Sequence, residues 1–134
     1  MIVGFTGTRK GMNSAQKKTF TEVLENIWVA EFHHGDCVGA DEQADKIIKK
    51  LYGKTSVIHP PDSPKNRAYC SGIVLPTKPA LERDRDIVDV SGMLIATPLK
   101  SKEEIRSGTW HTIRYARKRS KPVVIIYPDG TRVV

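Results

Sequence analysis

Arg106-Ser107-Gly108-Thr109-Trp110-His111-Thr112-Ile113-Arg114-Tyr115-Ala116-Arg117-Lys118, followed by Pro122-Val123-Val124-Ile125-Ile126, is the stretch whose reading decides the fold. A small polar turn rich in hydroxyls opens a helix, and an all-apolar strand follows it, which is the pattern of a phosphate-holding αβ unit. Free amides at a helix start attract anions, and Ser107, Gly108 and Thr109 are small enough to let a phosphate reach the backbone. The plainer reading is that Ser107 or Thr109 caps the helix. The strand 123–126 is apolar throughout, so it needs cover on both faces and belongs inside a sheet.

Working outward, the chain repeats this unit. Residues 2–6 predict a buried strand that ends at Gly7-Thr8-Arg9, and Ser14 then caps a helix with Phe20, Val23, Leu24, Ile27 and Trp28 at helical spacing. Residues 29–34 predict a second strand. The glycine-punctuated turn Gly35-Asp36-Cys37-Val38-Gly39-Ala40-Asp41 leads from it into a helix whose stripe is Ala44, Ile47, Ile48, Leu51 and Tyr52. Residues 56–59 make a third strand. The following 60–79, which holds five of the eight prolines, reads as a lid from which Arg67 closes on an anion or stays solvated. A helix from Ala80 and a strand over 93–96 precede the opening stretch. Five strands alternating with four helices predict one domain over 1–134: a three-layer α/β fold around an open, Rossmann-like parallel sheet in the order 3-2-1-4-5.

Ligands in such a sheet bind beyond the carboxyl ends of the strands. That edge collects Gly7, Thr8 and Arg9, then Gly35, Asp36 and Asp41, then Arg83 and Arg85, and finally Ser107, Gly108 and Thr109. A glycine, a hydroxyl and a guanidinium in one turn suit a phosphate. Asp36 and Asp41 bracket a helix start, where each either caps the helix or accepts the hydroxyls of a ribose. Arg83 and Arg85, two positions apart, diverge on a regular helix. Trp110 or His111 stacks on a base, or the tryptophan is core. His33, His34, Asp36 and Cys37 match no standard zinc spacing, and neighbouring strand residues face opposite ways, so no metal is anticipated and one histidine packs while the other faces the site.

Composition limits the classes available. With 39% hydrophobic and 28% charged residues the chain suits a water-soluble fold, and no apolar run approaches the ~20 residues that span a bilayer. The start, Met1-Ile2-Val3-Gly4-Phe5, reads as a strand and not as a signal peptide, which predicts a cytoplasmic location. Cys37 and Cys70 are too few for a disulfide framework and read as free thiols. A net charge of +7 favours anionic partners, nucleotide or nucleic acid. Among Arg114, Arg117, Lys118, Arg119 and Lys121 no aromatic residues interleave as a single-strand platform needs.

Four ordered segments carry a family resemblance: Gly4-Phe5-Thr6-Gly7-Thr8-Arg9, Gly35-Asp36-Cys37-Val38-Gly39-Ala40-Asp41, Glu82-Arg83-Asp84-Arg85-Asp86-Ile87-Val88 and Arg106-Ser107-Gly108-Thr109. Together they resemble the SLOG superfamily, which includes the LOG cytokinin-activating phosphoribohydrolases and the Rossmann-like domain of DprA. Residues 81–98 lie on the LOG segment without a gap, and Arg106 to Thr109 resembles a DprA turn. The resemblance implies a nucleotide or nucleotide-derived ligand, held by a sensor or sequestering module that needs no cofactor and pairs with itself. It also implies two alternatives: a LOG-like hydrolase of nucleoside monophosphates with Arg83 catalytic, or DprA-like single-stranded DNA binding. The LOG glutamate has no counterpart, since Trp110, His111 and Thr112 follow the turn and no carboxylate appears before Asp129.

Overall fold

The computed structural model describes all 134 residues. In chain order the elements are β1 (Ile2–Gly7), α1 (Ser14–Glu25), β2 (Glu31–His34), α2 (Ala40–Tyr52), β3 (Ser56–Ile58), β4 (Gly72–Val74), α3 (Ala80–Val90), β5 (Met93–Thr97), α4 (Gly108–Lys118), β6 (Val123–Ile126) and β7 (Arg132–Val133). They form an α/β fold with one sheet of seven strands, not five, in the order β4-β3-β2-β1-β5-β6-β7. The five anticipated strands hold their relative order at its centre, and β4 and β7 are additional edges. Every pairing is parallel except β6 with β7.

Side-chain alternation along the central strands builds a core on each face. Met93, Ile95, Val124 and Ile126 join Val3, Phe5 and Phe32 under α1 and α2, where Phe20, Leu24, Ala44 and Ile48 close the layer. Leu94, Ala96, Val123 and Ile125 face the other way, against Val88 of α3 and Trp110, Ile113 and Ala116 of α4. Phe5, Phe20 and Phe32 pack ring against ring, with Phe5 and Phe20 edge-on at 5.2 Å between centroids. Burying each contributes about 1.5–3 kcal/mol.

Several local expectations are corrected. The α1 cap is Asn13, not Ser14: Asn13 Oδ1 accepts the Gln16 amide at 2.8 Å, and Gln16 Oε1 accepts the Asn13 amide at 3.2 Å. The Gln16 side-chain Nε2 then donates to the carbonyls of Pro98 (2.9 Å) and Ile126 (3.0 Å), tying α1 to the ends of β5 and β6. Trp28 lies beyond the helix, 69% exposed, with the Lys54 ammonium 5.1 Å above its ring. Leu51 is likewise exposed and leaves the α2 stripe.

The segment 60–79 is no lid. Its middle pairs with β3 as β4, Pro61 bridges to Lys78, and Cys37 bridges to Arg67. Asp36 fastens it: buried and at φ 59°, it accepts the Arg67 Nε–H at 2.8 Å and the Cys70 amide at 2.9 Å. Arg67 is thus paired inside the fold, with its guanidinium over the Tyr69 ring. No helix is long and apolar enough to cross a membrane.

Candidate functional site

A cavity of about 520 Å³ opens at the carboxyl ends of β1, β2 and β5. That volume lies within the roughly 300–1,000 Å³ of small-molecule sites. Gly7, Thr8, Arg9, Gly35, Asp41, Arg83, Ser107, Gly108 and Thr109 all line it. Asp36 and Arg85 do not. Asp36 clamps the segment that leads into β4, and Arg85 lies 5.7 Å over the Tyr115 ring, on a different side of α3 from Arg83.

The wall formed by the β1–α1 turn is held from within. Thr8 donates its amide to Thr97 O (3.1 Å), its carbonyl accepts the Gly11 and Ala40 amides (3.0 Å each), and its hydroxyl accepts the Lys10 amide (3.2 Å). Gly39 makes this possible. At φ 90° it takes a backbone that side chains rarely adopt, and a Cβ there would sit 2.2 Å from Arg9 O. Arg9 and Lys10 stand exposed on this wall, and neither forms an ion pair within the chain.

The opposite wall is the start of α4. Ser107 is its N-cap, so the plainer reading applies to this residue: its Oγ accepts the Trp110 amide at 3.2 Å, and its carbonyl accepts the His111 amide at 2.9 Å. The Gly108 and Thr109 amides have no helical carbonyl within reach, so they remain for a ligand. The loop leading in is gripped by Arg114, which donates to Glu103 at 2.8 Å and to the Ile105 carbonyl at 3.0 Å. Arg106 adds another cation without an ion-pair partner.

The floor is a buried knot of opposite charges. Arg83 is 6% exposed; it donates Nε–H to Asp84 at 2.7 Å, Nη1–H to the carbonyls of Gly35 and of His59, and Nη2–H to Cys37 Sγ at 3.4 Å. Gly35 has no side chain because the guanidinium occupies the space a Cβ would take. Burial works against the charge on Arg83, but Asp84, Cys37 and Asp41 outweigh it and hold the group protonated. Asp84 is pushed up to about 6, first by burial and further by Asp41, despite Arg83. Burial likewise raises Asp41, with His34 and Arg83 opposing, and raises the Cys37 thiol, with Asp41 adding to it. Asp41 accepts the Cys37 amide through Oδ2 at 3.2 Å and feels the Gly35 amide, while its buried Oδ1 has no well-formed hydrogen bond. Buried acceptors without a well-formed hydrogen bond are uncommon in folded chains.

Neither histidine of β2 reaches the cavity. His33 bonds Glu31 and His59, each at 2.8 Å. His34 accepts the Asp36 amide on Nδ1 at 2.9 Å, so Nε2 carries the proton and donates it to Asp45 at 3.0 Å. His34, Asp45 and Cys70 bring ligand-type atoms within 4.8 Å of one another, but Asp45 is also bonded by Lys49 (2.6 Å) and Ser56 (2.7 Å). Hydrogen bonds inside the chain therefore account for the pairing of His34 with Asp45. Trp110, 3% exposed, belongs to the second core and not to the cavity.

Sequence reasoning missed Asp84, Lys10, Leu81 and Leu99, which also line the cavity. Asp84 could have been found, because it lies between Arg83 and Arg85, the two arginines singled out for the site. Comparison with protein-family models, with curated proteins and with solved structures finds no match.

Proposed function

We propose that this chain binds a nucleotide or nucleotide-derived ligand at the carboxyl edge of its sheet, as a sensor or sequestering module of the SLOG type with a Rossmann-like sheet. The observation that carries the reading is the pairing of two unlike surfaces in one cavity. Unpaired cations and open amides, from Arg9, Lys10, Arg106, Gly108 and Thr109, face an inner carboxylate, Asp41, whose Oδ1 has no well-formed hydrogen bond. A phosphate suits the first surface and a sugar hydroxyl the second. A sugar phosphate presents both at once.

Thermal shift against mono-, di- and cyclic nucleotides and ADP-ribose at millimolar concentration tests this. Stabilisation by at least one of them is expected. The absence of any shift sinks the reading.

One observation favours a second reading, a nucleoside monophosphate phosphoribohydrolase. Asp84 is a carboxyl that lines the cavity and is held by Arg83, which places an acidic group where the glutamate of the resembled hydrolases is missing. Release of free base, followed by chromatography and abolished in Asp84→Asn and Arg83→Ala, distinguishes hydrolysis from holding.

A further inference from the structure

The cavity has an apolar lip that the phosphate and sugar contacts leave unused. Leu81, in the first turn of α3, is 52% exposed, and Leu99, in the loop after β5, is 40% exposed; both line the cavity. Ile105, 88% exposed, stands between Glu104 and Arg106, which line it too. A lone exposed leucine needs no explanation. Two from separate elements lining one cationic cavity offer apolar area that neither a phosphate nor a sugar uses.

We propose, resting on the nucleotide reading above, that the ligand's heterocycle lies between Leu81 and Leu99, held by its faces. The aromatic candidates are elsewhere: Trp110 is in the second core, His111 does not line the cavity, and Tyr69 is engaged by Arg67. Phe5, the one aromatic ring that lines the cavity, is 1% exposed and packed against Phe20. Aliphatic side chains offer a flat ring dispersion and exclusion of water but no hydrogen bonds. The site therefore measures the area of the base and is indifferent to its edge. Purines bind better than pyrimidines, and adenine and hypoxanthine bind alike.

The rival arrangement is edge reading by Glu104, a carboxylate that would accept from the adenine amino group and not from the oxygen that replaces it in hypoxanthine. Calorimetric titration of the full chain with ribose 5-phosphate, AMP, IMP and UMP decides between them. Face recognition gives AMP and IMP affinities within about threefold of each other, UMP weaker, and both purines at least about tenfold tighter than ribose 5-phosphate. Leu81→Ser and Leu99→Ser, exposed positions where the fold tolerates change, bring the purine nucleotides to the ribose 5-phosphate level and leave ribose 5-phosphate itself unchanged. The proposal is overturned if AMP and IMP differ by about tenfold or more, if the base adds nothing to ribose 5-phosphate, or if the variants weaken all four ligands equally. Failure of all four to bind, ribose 5-phosphate included, removes the nucleotide reading and the clamp with it.

Discussion

Arg83 donates its Nε–H to Asp84 at 2.7 Å, an ion pair between sequence neighbours that both line the cavity. Burial and the nearby Asp41 still keep the Asp84 carboxyl at about 6. Below that pH it is neutral and the cavity is more positive. A cyclic nucleotide, whose phosphodiester charge is fixed in this range, is therefore expected to bind more tightly at pH 5.5 than at pH 8, by roughly three- to tenfold. Asp84→Asn keeps an acceptor for Arg83 and removes the titrating proton, so its pH dependence should be weaker than the parent's over that interval, Asp41 remaining in place.

The same carboxyl affects stability with a definite sign. Its folded value of about 6 exceeds the ordinary 3.8, so the folded chain binds more protons than the unfolded one between those values. Its stabilisation is complete below about pH 3.8 and is lost as pH rises through about 6. The fall in melting temperature between pH 4 and pH 8 should therefore be smaller in Asp84→Asn than in the parent, by calorimetry at the two pH values.

Asp45 acts in the opposite direction. Burial alone would raise it, but donors from His34, Lys49 and Ser56 prevail and hold it well below 3.8. Its contribution is present above about pH 3.8 and disappears as pH falls through the lowered value. Asp45→Asn should unfold at lower urea than the parent at pH 7, and the gap between them should narrow by pH 2.5.

Gly39→Ala should cost about 1–3 kcal/mol from its φ of 90° alone, and more from the contact with Arg9 O. Because the displaced atoms belong to the phosphate-facing turn, ligand affinity should fall along with the urea midpoint. Gly53→Ala is the control: its φ is 62°, nothing lies within 4 Å of a Cβ there, and it should lose stability without losing affinity.

Asp36→Ala removes a buried carboxylate from Arg67 and from the Cys70 amide. About 3 kcal/mol of stability should go with it, and protease should then cut within 60–79 before it cuts elsewhere. Ligand affinity measured on folded protein should suffer less than in Asp41→Asn.

The central strands were legible because they are physically loud. Val123 to Ile126 is apolar at every position, and only a strand covered on both faces needs that. The edges are quiet. All three residues of β4 are exposed and pair in parallel, so no hairpin turn announces them. β7 has two residues, and the turn residues Pro128-Asp129-Gly130 before it went unread: Gly130 takes φ 87°, and Asp129 accepts from the amide and hydroxyl of Thr131. Asp36 and Asp41 look equivalent as letters around one helix start. What separates them is the left-handed backbone at Asp36 and an arginine 31 positions away, and neither is a local property. The spacing of Trp110, Ile113 and Ala116 already described a buried helix face, which is why the tryptophan is absent from the cavity.

The sheet stands between two apolar clusters that share no residue, one under α1 and α2, the other under α3 and α4. Free-energy costs of changes in the two, such as Phe20→Leu and Ile113→Val, should therefore sum. The partition separates two kinds of tolerance: repacking beneath the helices that carry Arg83 and Ser107 leaves the three phenylalanine rings of the opposite layer, and the foldability they supply, untouched.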